Sequence, residues 1–200
     1  MKMFFKGSLI LMILSISLWS CSSDDNGNDS HDQEDEASAI VGDWVMNGLS
    51  FDGATEQEGL GDVNFSGDEK ELPDDTFHFD KDGTYKAGTS TMALNVEVGI
   101  GEQTLEGEDL ADLGIDTNNI SPFLTEGKWS VNEEESELTL VENESGEAIV
   151  FDIDQLDDNT LKITTADGYP MVKTAGIIPA GIVDALGHID IEVSMAFEIK

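Results

Sequence analysis

Apolar and polar residues alternate with a period of two over much of the chain beyond residue 39. Met92, Leu94, Val96, Val98 and Ile100 take every second place, with Ala93, Asn95, Glu97 and Gly99 between them. The last run is cleaner. Ile189, Ile191, Val193, Met195, Phe197 and Ile199 alternate with His188, Asp190, Glu192, Ser194, Ala196 and Glu198. Successive side chains of a strand point to opposite faces, so each run predicts a strand with one dry face and one wet one. Further strands are predicted at 44–51, 76–80, 84–87, 128–131, 137–142, 148–154 and 160–165. That makes about eight to ten strands, the range of a small closed barrel.

The residues between these runs fit short hairpins. Asp80-Lys81-Asp82-Gly83 separates Phe77 and Phe79 from Tyr85, and Asp-Gly is a strong hairpin signal. Residues 132–136 and 157–159 make similar joints. Hairpins in series give an up-and-down order. Three segments break the pattern. Residues 52–75 are acidic and Gly-rich and read as a long loop. Leu105, Leu110 and Leu113 stand near helical spacing before Gly114, which predicts one short helix within 105–114. Residues 175–186 are apolar, with Asp184 as the single acid, and are broken by Gly176, Pro179 and Gly181. They read as a mobile lid over a barrel mouth or as a loop packed against the barrel end. No long helical pattern exists, which argues against α/β enzyme folds. The expected class is all-β: an antiparallel up-and-down β-barrel over 39–200 with one short helix and long loop insertions.

The first twenty residues are different. Lys2 and Lys6 precede an apolar stretch, Ser8 to Trp19, too short to cross about 30 Å of hydrocarbon as a helix. It reads as a secretory signal peptide over 1–20. Leu18-Trp19-Ser20-Cys21 resembles a bacterial lipobox, in which the Cys takes the lipid after cleavage. Cys21 is the one Cys of the chain, so no internal disulfide is available, and lipid attachment accounts for a solitary thiol. Residues 21–38 follow as an acidic tether without an apolar run, which cannot repay the entropy of ordering. Its start, Ser22-Ser23-Asp24-Asp25, resembles the acidic export tag of surface lipoproteins of some Gram-negative bacteria. The expected location is the outer membrane, lipid-anchored, on the cell surface, with the periplasmic face as the alternative.

Charge narrows the partners. Nine Lys and no Arg stand against 43 Asp plus Glu, a net charge of −34. Phosphate binding needs a basic face, so nucleic acid is excluded. The missing Arg removes the usual bidentate clamp for carboxylates and phosphates.

Catalytic chemistry lacks its parts. There is no Gly-x-Ser-x-Gly elbow, and Cys21 is assigned to lipid. His31 lies in the tether, while His78 and His188 occupy polar faces of strands, where a solvated imidazole is the ordinary case. Asp152, Asp154, Asp157, Asp158 and Asn159 form the densest ordered acidic group, without the Gly and closing Glu of an EF-hand loop. No enzyme activity, metal or cofactor is predicted.

Val41-Gly42-Asp43-Trp44 opens the domain, and Gly-x-Trp at the start of a first strand resembles the lipocalin pattern. The runs Phe77 to Tyr85, Gly127-Lys128-Trp129-Ser130-Val131 and Leu138-Thr139-Leu140 follow in order. Together they resemble the lipocalin-like domains of bacterial lipoproteins over most of 40–200, with 52–75 and 87–122 poorly matched. The family's Arg against the first Trp is absent here, and Lys200 is the available stand-in. The resemblance implies a barrel around a cavity, with a small apolar or amphipathic ligand. Gly42, Trp44, Gly127 and Trp129 are then the fold's markers, at the cavity floor or as plugs of the barrel. Two functions stay open: a ligand carrier, preferred from the resemblance, and a non-enzymatic accessory module with a filled barrel that binds a protein. The size of the inward side chains discriminates between them.

Overall fold

The computed structural model of the protein describes residues 39–57, 61–177 and 189–200. A sixteen-residue first strand, β1 (Gly42–Gln57), organises the sheet. The remaining strands are β2 (Gly61–Glu71), β3 (Thr76–Phe79), β4 (Thr84–Lys86), β5 (Ala93–Ile100), β6 (Gln103–Glu106), β7 (Glu126–Val131), β8 (Glu137–Glu142), β9 (Ala148–Leu156), β10 (Thr160–Thr165) and β11 (Asp190–Ile199). Two short helices, α1 (Glu108–Asp112) and α2 (Tyr169–Thr174), interrupt them.

The barrel predicted from the alternation is present. Eight strands run in the order β1-β3-β4-β7-β8-β9-β10-β11, every pair antiparallel, and β11 returns to β1 to close it. Closure removes the free edges an open sheet would expose. Closure rests on the longest register of the sheet, from Trp44 opposite Ile199 to Ala54 opposite Asp190. Apart from the excursions that leave after β1 and β4, the order is up-and-down, as short hairpins dictate.

The turns are built by the residues that predicted them. Gly83 takes φ 81°, a conformation that costs glycine nothing. Its N–H donates to Asp80 O at 3.1 Å. The Asp82 carboxylate accepts from both the N–H (3.0 Å) and the hydroxyl (2.6 Å) of Thr84. These bonds hold the Asp82 carboxyl below the usual carboxylate range. At the β9–β10 turn Asp157 accepts from the N–H groups of Asn159 and Thr160. One member of the acidic group considered for calcium is thus occupied in shaping a turn.

The segment expected as a loop at 52–75 is mostly strand. The second half of β1 pairs with β2, from Ser50 opposite Asp68 to Gln57 opposite Gly61. β2 pairs with β5, and β5 with β6, so a flap of three strands extends from the barrel wall. Its alternation is hard to see for a physical reason. The solvent face carries Asp52, Asp62, Asn64 and Asp68, while glycine at 53 and 67 dilutes the apolar face. Gly67 is required there, because a Cβ would run into the Phe51 ring. The helix expected within 105–114 is only Glu108–Asp112, pinned by the fully buried Leu110, and Gly114 ends it at φ 84°. β6 takes residues 103–106 instead. α2 was not expected. Its six residues are too few to show a period, although Pro170 in the first turn suits a helix start. Met171 and Val172 anchor it in the core. Of residues 175–186, Ala175 and Ile177 are buried and 178–186 lie outside the described residues.

Barrel interior, flap and helices share one apolar cluster. On β11 the inward set is Ile191, Val193, Met195 and Phe197, all at most 2% exposed.

Candidate functional site

Trp44 and Trp129 are linked at one end of the barrel through Phe77 and Phe79, with Gly42 opposite Phe79, while Gly127 lies at the start of β7, away from the β7–β8 turn. The tryptophan end holds the start of β1, the β3–β4 turn, the β7–β8 turn and the end of β11. Gly42 faces Phe79, and Trp44 faces Phe77 across the β1–β3 ladder. Trp44 is 1% exposed, and its indole N–H donates to Ile40 O at 2.7 Å. Trp129 is only half-buried. Its indole N–H donates to Asp80 O at 3.0 Å, and its ring meets Phe79 edge-on at 5.7 Å. Phe79 stacks on Phe77 at 6.3 Å, and Phe77 meets Phe197 at 5.2 Å. One tryptophan is core and the other is a cover over the barrel end. Lys200, named as a stand-in for the family's Arg, sends its ammonium to Thr76 Oγ1 at 3.0 Å.

Gly127 has a steric role. A Cβ at that position would collide with the Val141 carbonyl and press on the Tyr85 ring. Tyr85 lies opposite Gly127 and is 3% exposed. Its hydroxyl is buried without a hydrogen-bond partner. Burial pushes the phenol pKa far up, with the carboxylates of Glu142 and Glu126 adding to the effect. An unsatisfied buried hydroxyl costs about 1–3 kcal/mol, so Tyr85→Phe should leave stability unchanged or raise it by about 1 kcal/mol. Urea denaturation checks this; a loss above about 1 kcal/mol would mean that the hydroxyl has a partner in solution.

The rest of the interior is bulky. Phe151, Leu138 and Leu161 are fully buried, and Leu140 and Ile163 are 1% exposed. An eight-stranded barrel is just wide enough to be filled by side chains or to hold one small ligand, and these residues point into it.

Among the described residues, two clefts lie outside the eight-stranded barrel. One cleft of about 840 Å³ is bounded by β5, α1 and residues 115–118, and carries Asp68, Glu97, Glu106, Glu108 and Asp116. Lys70 spans part of it to Asn118 Oδ1 at 2.9 Å. A second, of about 350 Å³, lies on the outer face of β1, β10 and β11. Gly48, Ser50, Ser194 and Ala196 form its floor, and Glu69, Asp154 and Lys162 its walls. The Thr164 hydroxyl donates to Asp154 at 2.5 Å, and the Leu49 N–H to Glu69 at 3.2 Å. Register shifts at Met46/Gly48, Glu69/Glu71 and Lys162/Ile163 lie beside these clefts. A bulge inserts one residue and bends the strand, which re-aims the walls. Nothing in residue type marks these bulges, so sequence reasoning missed both clefts.

His78 occupies the polar face assigned to it. Its Nδ1 lies 2.6 Å from Asp43 Oδ1, and its Nε2 lies 3.3 Å from Asp80 Oδ1. The bonds to Asp43 and then Asp80 raise its pKa above the ordinary 6.5. Cys21, His31 and His188 lie outside the described residues.

The fold and its site define an all-β barrel protein with a packed interior at the two-tryptophan end. No protein-family model, curated protein or solved structure matches the chain.

Proposed function

We propose that the chain is a lipid-anchored accessory module of the outer membrane, non-enzymatic, whose filled barrel presents its outer surface to a protein partner. The barrel fold is compatible with ligand binding in general. The observation that carries the reading is the bulk pointing inward: Trp44, Phe77, Phe79, Phe151 and Phe197 are all at most 7% exposed. Side chains of that size use the volume a carrier reserves for its ligand. Anchoring rests on the sequence pattern around Cys21, and surface display on Ser22 to Asp25.

A second reading, the carrier of a small apolar or amphipathic ligand, draws on one observation, the unpartnered Tyr85 hydroxyl inside the barrel. Native mass spectrometry of the protein from its own cells, with titration of fatty-acid and retinoid-like probes, separates the two. The module reading expects no co-purified small molecule and no saturable probe binding. A stoichiometric small molecule would sink it in favour of the carrier. Fractionation tests the anchor: wild type should sediment with membranes and be shaved by protease on intact cells, and Cys21→Ala should be released.

A further inference from the structure

The barrel end that carries the two tryptophans is closed on its outside by a histidine between two acids. Asp43 on β1 is directly opposite His78 on β3. Asp80 follows two residues later, at the start of the β3–β4 turn. The imidazole therefore touches carboxylates through both nitrogens, one on a neighbouring strand and one on the turn. Only the imidazolium carries a proton on each ring nitrogen. The neutral ring donates to one carboxylate and turns a lone pair toward the other, so one of the two contacts is lost.

We propose that His78 is a pH-sensitive latch, which in its protonated form ties the β3–β4 turn to β1 and in its neutral form releases the turn. Asp80 transmits the change. Its carbonyl accepts from the Gly83 N–H at 3.1 Å and from the Trp129 indole at 3.0 Å. The residue that loses its imidazolium is thus the residue that holds the aromatic cover over Phe79.

Charged groups of both signs surround the latch. Lys86 on β4 is opposite His78, and Glu126 on β7 is opposite Lys86. Lys200 on the β11 side donates its N–H to Asp43 O at 2.9 Å, while its ammonium goes to Thr76. Lys128 is opposite Thr84. Asp82 is held by Thr84, and Lys81 lies in the turn beside it. Asp43 and Asp80 are the two acids within ion-pair distance of the ring. The direction is that of a raised histidine: with both carboxylates ionised, the latch is fully made below the unfolded-state pKa of histidine and is lost as pH rises through the folded-state midpoint.

The test is an NMR titration of His78 in the full domain, with hydrogen-exchange protection factors for the Gly83 amide and the Trp129 indole across the same range. Both protection factors should fall together by roughly two- to fivefold through the His78 midpoint, the scale of exposed ion pairs. Asp80→Asn should abolish that fall. His78→Gln should hold protection at the high-pH level throughout, with the fold checked by circular dichroism. A His78 midpoint at or below 6.5 would overturn the proposal. So would protection that is flat through a raised midpoint, or a full pH response retained in Asp80→Asn.

Discussion

Trp44→Ala is expected to lower the unfolding free energy by about 3–5 kcal/mol, and Trp129→Ala by less than half as much. The two residues look alike in sequence, each two places after a glycine at a strand start. Their surroundings differ. Trp44 is almost wholly buried opposite Phe77, with its indole bonded to Ile40 O. Truncation there removes a large transfer term and leaves a cavity that the surrounding strands can only partly close. Trp129 keeps part of its ring in water and spends its N–H on a turn carbonyl. Guanidinium titration of both variants checks the ranking, and equal losses would refute it. The measurement also bears on function. A Trp44→Ala loss below about 1 kcal/mol would mean spare interior volume and elastic walls, the property a carrier needs and a filled module lacks.

How much was legible depended on how cleanly each strand separates its faces. β11 and β5 announce themselves because one side is continuous Ile, Val, Leu, Met and Phe. The Asp82-Gly83 and Asp157 turns were readable because their chemistry is local, a positive φ or a carboxylate on nearby N–H groups. β2 was hidden because its buried positions are only Val63 and Phe65, followed on the same face by the half-buried Gly67, where the space belongs to the Phe51 ring of another strand. No single-strand pattern contains that fact. Gly127 is the same case, since Tyr85 and Val141 on the two flanking strands decide it. The clefts were out of reach because register shifts between strands produce them. His78 was readable as a surface residue, but its second carboxylate depends on how the turn folds back.

Raising salt from about 0.01 M to about 1 M sodium chloride should stabilise the domain, because it shrinks the Debye length from about 30 Å to about 3 Å. At a net charge of −34 the folded chain repels itself. The ladders place some of that repulsion at named sites. Glu97 is directly opposite Glu106, and Asp52 is directly opposite Glu192, all four exposed on strand faces. Like charges directly opposed cost about 0.2–1 kcal/mol per pair. Glu106→Lys converts one opposed pair into an attractive one at the edge of the flap, and Glu106→Gln only removes the repulsion. At low salt the expected order of stability is Lys above Gln above Glu, with the extremes separated by about 1 kcal/mol. In a domain of this size that is about 2–4 °C in Tm. Salt also strengthens apolar burial in every variant, so the rise in wild type does not identify its cause. The spread among the three variants identifies it as electrostatic, because apolar burial is common to all three, and it should close to within error at high salt. Thermal unfolding of all three at both salt concentrations is the measurement. A spread that is absent at low salt, or unchanged at high salt, would remove the opposed acids of the flap as a source of instability.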